Sequence, residues 1–142
     1  MTTEFSIVIK KEINAPSSKV WDALTNPEII KQYLFGTETV TDWKVGSPII
    51  FQGKWEGMEY KDKGTILEFI PGQKLKYDYW SSFSKLEDVP ENYQILTFDL
   101  KSQDGNTILS LTQDNVPNPE TKKHSEANWS MVLNLMKEII EK

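Results

Sequence analysis

No cysteine occurs in the 142 residues, so disulfides, thiolate metal sites and thiol nucleophiles are excluded. A single histidine, His124, leaves no multi-histidine metal site and little scope for imidazole chemistry. Positive charge is also short. Lys and Arg number 16 against 21 Asp and Glu, a net charge of −5, which argues against binding a phosphate backbone and so against a nucleic-acid partner. Long apolar runs are missing. None approaches the ~20 residues of a membrane span, so no stable membrane insertion is expected. The opening MTTEFSIVIKKE lacks a basic start followed by an apolar block, so no secretion signal is read and a cytoplasmic protein is expected. No glycine-rich phosphate loop is present, since Gly53 and Gly57 are spaced by strand residues. Ser125 lies next to His124, but helix neighbours in sequence do not face each other, so they make no catalytic pair. No catalytic set, metal site or cofactor is expected.

Aromatics, by contrast, are abundant: 11% of the chain, with five tryptophans. The length suits one domain, expected to span residues 1–142, with a core large enough to fold without metal or disulfide.

Hydrophobic periodicity divides the chain into three parts. Phe5, Ile7 and Ile9 alternate with polar or opposite-facing neighbours, a strand ending near Asn14. Ala15-Pro16-Ser17-Ser18 then opens a short helix carrying Val20, Trp21, Ala23 and Leu24. Asn26 caps a second helix, with Pro27 in its first turn and Ile29, Ile30, Tyr33 and Leu34 at helical spacing, stopped by Gly36. From Thr37 to Asn115 the period is two. Thr37 to Trp43 reads as a strand, and Phe51 and Trp55 share one parity of the next. Pro71-Gly72 and Asp104-Gly105 mark turns, while Tyr77 with Tyr79, and Leu96 with Phe98, alternate with polar residues. The polar segment Ser81–Asn92 interrupts this meander as a loop carrying Phe83 and Leu86. Val116-Pro117-Asn118-Pro119 reads as a rigid joint. The last stretch, from His124, is amphipathic: Trp129, Val132, Leu133, Met136, Ile139 and Ile140 share one helical face.

These elements predict an α+β fold. Residues 3–14 and 37–115 should form one curved antiparallel sheet of about six or seven strands. Helices should run near 17–25, 27–34 and 121–141, the last one gripped by the sheet. Trp21 should be buried core, anchoring the first helix.

Ile13-Asn14-Ala15-Pro16 and Val20-Trp21-Asp22-Ala23-Leu24-Thr25-Asn26-Pro27 together resemble the opening of the SRPBCC superfamily. This is the START-like, helix-grip group that includes lipid-transfer START domains and the birch pollen allergen. Trp43, Gly46, Gly64, Glu68, Pro71 and Leu75 sit where the branch similar to the C-terminal domain of the activator of heat-shock protein 90 ATPase carries its pattern. The resemblance covers essentially the whole chain. It implies the helix-grip fold and a family of binders, transfer proteins and a few cyclases. The eukaryotic co-chaperone also has an N-terminal domain that carries much of its partner contact, and these 142 residues have no room for one.

Three functions follow as expectations. The first is binding of a small apolar or aromatic ligand between sheet and last helix. Phe51, Trp55, Tyr77, Tyr79 and Phe98 would form the walls, Trp129, Leu133 and Met136 the closure, and Tyr33 and Phe35 one mouth. The second is an interaction domain for a chaperone ATPase, with Phe83 and Leu86 as an exposed apolar patch. The third is a cyclase- or dehydratase-like enzyme, which needs a titratable group such as Glu68 or Asp78 on a tyrosine inside the cavity. The carboxylates Glu56, Glu59, Asp62 and Glu68 otherwise read as solvated turns and strand faces, with Glu68 on the outer face.

Overall fold

The structure is a computed structural model that describes residues 5–81 and 86–141. Seven strands form one antiparallel sheet: β1 (Phe5–Ile13), β2 (Glu38–Val40), β3 (Pro48–Trp55), β4 (Met58–Ile70), β5 (Lys74–Tyr79), β6 (Gln94–Gln103) and β7 (Asn106–Val116). Their order across the sheet is β1-β7-β6-β5-β4-β3-β2. The meander from β2 to β7 therefore runs in sequence order, and β1 closes onto β7. Helices α1 (Ser17–Thr25) and α2 (Pro27–Tyr33) follow β1, and α3 (Pro119–Glu141) follows β7.

Local chemistry accounts for the boundaries. Asp104 and Gly105 both have positive φ, the backbone that a two-residue hairpin with the twist of β6 and β7 requires. Asn26 accepts a hydrogen bond from the Glu28 N–H at 3.0 Å and caps α2. The same Asn-Pro pair recurs at 118–119. The Asn118 carboxamide accepts from the Thr121 N–H at 2.7 Å, so the expected rigid joint is itself the start of α3, two residues before the expected position. The segment after Ser81 contains a 3-10 turn, Pro90–Asn92, rather than loop alone. β2 is shorter than the expected Thr37–Trp43 strand, because the chain leaves the sheet edge after Val40 and Trp43 takes a left-handed backbone.

One irregularity sets which side chains face inward. Tyr60, Asp62, Gly64 and Ile66 share the concave face with Phe51 and Ile49, as their register across β3 and β4 requires. A register shift between Ile66 and Glu68 then turns Phe69, not Glu68, toward Leu75 on β5. Glu68 thus reaches the outer face as expected, through the bulge rather than through simple alternation. There it lies 3.4 Å from Lys74 and 3.7 Å from Lys76. Gly64 is fixed by crowding, since a Cβ at this position would run into the Asp78 backbone carbonyl. The Asp78 carboxylate accepts the neighbouring Thr65 N–H at 2.6 Å. Burial raises the Asp78 pKa, partly offset by that hydrogen bond.

The core lies between the concave face and the helices. It includes Ile13, Val20, Leu24, Ile66, Leu109 and Leu111, with Val132, Leu133, Met136 and Ile140 from the last turns of α3. No residue from Pro119 to Met131 on α3 is fully buried. Trp21 departs from expectation: it is half-buried, at the margin of the α1 stripe formed by Val20, Ala23 and Leu24. Its indole meets Phe69 edge-on, with ring centroids 5.3 Å apart.

Candidate functional site: an aromatic wall around a small cavity

Three parts of the chain converge on one cavity. Leu24, Ile30, Tyr33 and Leu34 come from α1, α2 and the residue after α2. Thr39 comes from the edge strand β2, and Trp43 from the loop that follows it. Ile49, Phe51, Leu75, Tyr77 and Phe98 come from the concave face, and Trp129 comes from α3. The cavity measures about 20 Å³, room for roughly one water molecule.

Its floor is a chain of rings. Phe51 lies 5.6 Å from Tyr77, Tyr77 lies 6.1 Å from Phe98, and Phe98 lies 6.0 Å from Trp129, all tilted or edge-on. Such offset contacts add to burial, by about 0.5–1.5 kcal/mol per pair. Gly64 pairs with Ile49, diagonal to Phe51 on the concave face, and adds no side chain between the β3 and β5 rings.

The polar atoms at the wall differ in how they are satisfied. The Tyr33 hydroxyl donates to the Ala23 carbonyl at 2.8 Å. The Trp129 Nε1–H donates to Gln113 at 3.0 Å, and the Gln113 carboxamide in turn donates to Gln94. The Thr39 hydroxyl is buried and has no hydrogen-bond partner among the described residues. Burial pushes the Tyr77 hydroxyl far up, so it stays protonated. Tyr33 is raised by burial first and by its closeness to Tyr77 second.

Of the residues expected to form the site, Tyr33, Phe51, Tyr77, Phe98 and Trp129 meet at the cavity. Others lie elsewhere. Phe35 is 50% exposed, because it follows α2 in a left-handed backbone and stays in solvent rather than guarding a mouth. Leu133 and Met136 are buried core, since only Trp129, a turn earlier on α3, reaches the cavity. Tyr79 sits one inward position beyond Tyr77 on β5, where its ring packs 5.9 Å from Phe51 and its hydroxyl donates to Asp62 at 2.5 Å. Burial, then the Asp62 charge, raises Tyr79. The Trp55 side chain lies outside the described residues. Leu24, Ile30, Leu34, Thr39, Trp43, Ile49 and Leu75 also line the cavity, outside the expected set. Thr39 carried one available signal, its parity with Thr37 at the start of the meander.

Two tyrosine–carboxylate pairs occur among the described residues, Tyr79–Asp62 and the exposed Tyr93–Asp88; neither is built on Glu68 or Asp78, and neither lines the cavity. Phe83 lies outside the described residues. Leu86 is half-buried, and its carbonyl accepts the Trp80 Nε1–H at 3.2 Å. No helix among the described residues is long and apolar enough to cross a membrane. A second, open groove of about 600 Å³ lies beside the sheet edge, between Lys31, Glu38, Lys54, Glu59 and Lys61, with Tyr60 as its single aromatic lining residue.

Seven antiparallel strands, two short helices and a gripped C-terminal helix define a helix-grip, START-like protein of the SRPBCC superfamily. Within it, the chain belongs to the activator of Hsp90 ATPase homolog 1-like protein family, whose pattern matches residues 14–141. Solved structures agree. The solution structure of ChR145 from Cytophaga hutchinsonii is 45% identical, with 99% of this chain and 97% of that one covered at a TM-score of 0.86. The Aha1 dimer from Colwellia psychrerythraea is 18% identical, with 96% of each chain covered and a TM-score of 0.76. DynU16, from the dynemicin biosynthetic locus, is 16% identical, with 96% of this chain but 47% of that one covered and a TM-score of 0.78. These last two likenesses concern the fold alone. A comparison with curated proteins finds no match.

Proposed function

We propose that the protein binds a small, flat, apolar molecule between the concave face of the sheet and α3. The observation that carries this reading is the run of rings from Phe51 through Tyr77 and Phe98 to Trp129, bordering a cavity whose wall includes no charged residue. Aromatic faces suit planar ligands, and a few polar groups among them set orientation. Pockets that enclose drug-sized ligands run to about 300–1,000 Å³, so the walls must part for a ligand to enter. The apparent affinity then falls by the fraction of molecules that are open. The likeness to a protein from a biosynthetic locus supports including natural-product aromatics in the search.

A thermal-shift screen of lipids, flavonoids and polyketide-like aromatics tests the reading. A ligand at a hundred times its Kd stabilises by about 2.7 kcal/mol, several degrees for a domain of this size. Hits should perturb the NMR signals of Phe51, Tyr77, Phe98 and Trp129. A flat response across the whole panel would sink the idea.

Family membership favours a second reading, a partner of a chaperone ATPase. Turnover of the host Hsp90, with and without excess of this protein, decides it, and unchanged turnover removes it.

A further inference from the structure

We infer that the Thr39 hydroxyl is the polar anchor of the cavity, selecting uncharged ligands that carry one hydroxyl or carbonyl oxygen on a flat apolar body. This rests on the cavity being a ligand site. The inference starts from how the wall's polar atoms are satisfied. Tyr33 and Trp129 spend their donors on Ala23 and Gln113. Thr39 Oγ1 is buried without a partner among the described residues, in a residue only 4% exposed. Native proteins rarely leave such an atom unmet, and where one occurs it calls for an explanation.

Packing does not supply one. Thr39 lies opposite Phe51 on the neighbouring strand, and valine would fill the same space without the hydroxyl. A bound water is the simple alternative, and the cavity has room for about one. A buried water ordinarily needs two to four polar partners, and one held by Thr39 and Tyr77 would make Thr39→Val less stable than the native chain. An oxygen carried on an apolar ligand needs only the one that Thr39 offers. A threonine hydroxyl both donates and accepts, so phenols, alcohols and aryl ketones all fit. Carboxylates and amines do not, since no charged side chain lines the wall to offset their desolvation.

The test compares 2-naphthol with 2-methylnaphthalene, which match in shape and differ in the hydroxyl. Binding is read from tryptophan fluorescence in the full chain, for the native protein, Thr39→Val and Thr39→Ser. The naphthol-to-methylnaphthalene affinity ratio should fall about fivefold in Thr39→Val, the size of one neutral hydrogen bond. It should stay within about twofold of native in Thr39→Ser, which keeps the hydroxyl. The urea midpoint of ligand-free Thr39→Val should equal or exceed the native value. An unchanged ratio with both probes bound overturns the anchor and leaves the cavity reading standing. A lowered midpoint in Thr39→Val means the hydroxyl is already satisfied in the free protein and also overturns it. If neither probe binds the native chain, the anchor falls together with the cavity reading for these ligands.

Discussion

Single residues decide which side of a wall a ring occupies, and Trp21 illustrates the limit of reading this from sequence. Its place among Val20, Ala23 and Leu24 points to the core, and a nine-residue helix does bury those three neighbours. The indole itself lies at the margin of the stripe, partly buried against Phe69. Trp21→Ala should therefore cost about 2–3 kcal/mol, below the ~3–5 kcal/mol of a fully buried ring. A double-mutant cycle with Phe69→Ala should recover a coupling of about 0.5–1.5 kcal/mol. Urea denaturation of the three variants measures both, and a loss above 4 kcal/mol would mean the ring is core after all. The aromatic wall was more legible. Tyr77 and Phe98 alternate cleanly with polar residues, and period-two strands carry their own orientation. Phe35 was not legible, because a left-handed residue after a helix obeys neither period. Thr39 was passed over because a small polar residue on an edge strand looks like solvent-facing surface.

Among the elements, the ends of helices were read unevenly although the same chemistry makes them. Asn26-Pro27 stood between two apolar patterns and was recognised as a cap. Asn118-Pro119 performs the same task for α3, but the polar residues that follow it gave no apolar stripe to mark a helix. The first turns of α3 bury no residue fully, so they depend on the cap more than on packing. Asn118→Ala should then cost about 1 kcal/mol, within the usual 0.5–2 range for a lost cap. Circular dichroism and urea melts measure the loss. The amides of the first turn should lose protection while those near Met136 keep theirs. Equal stability would show that the carboxamide bond contributes nothing there. The bulge in β4 was beyond reading, since nothing in Ile66-Leu67-Glu68 distinguishes it from plain alternation. It is nonetheless what turns Phe69 inward to meet Trp21 and Trp43.

At the scale of the whole molecule, the two ends of the grip differ in how they are held. At one end α3 is tied to the chain after β1. The Glu141 carboxylate accepts the Asn14 N–H at 2.8 Å and pairs with Lys137, which also donates to the Glu12 carbonyl at 3.0 Å. The Asn14 N–H, then Lys137, holds the Glu141 pKa below its ordinary value. Its contribution to stability is therefore present above the unfolded carboxylate value of about 4.3 and lost as pH falls through the lower folded value. Urea midpoints of the native chain and Glu141→Gln should differ at pH 7 and draw together as the pH falls below the ordinary carboxylate range. Asp78, raised by burial, acts in the opposite sense in both proteins and cancels from the difference. At the other end, the cavity is walled by the weakest elements. β2 has three residues and pairs only with β3, and α2 has seven. They carry Ile30, Tyr33 and Thr39 on the cavity side, facing rings fixed on β3, β5 and β6. β6 and β7 pair along nearly their whole length over fully buried Leu109 and Leu111. Short edge elements open at lower free energy than a central ladder. If ligands enter, α2 and β2 are the walls that part, which explains how a fold with space for one water could admit a ring. In hydrogen exchange, amides of α2 and β2 should exchange at least ~100-fold faster than those of β6 and β7. Saturating 2-naphthol should slow exchange in α2 and β2 and leave β6 and β7 unchanged. Protection appearing first along α3, or uniform exchange across the sheet, would place the entrance elsewhere.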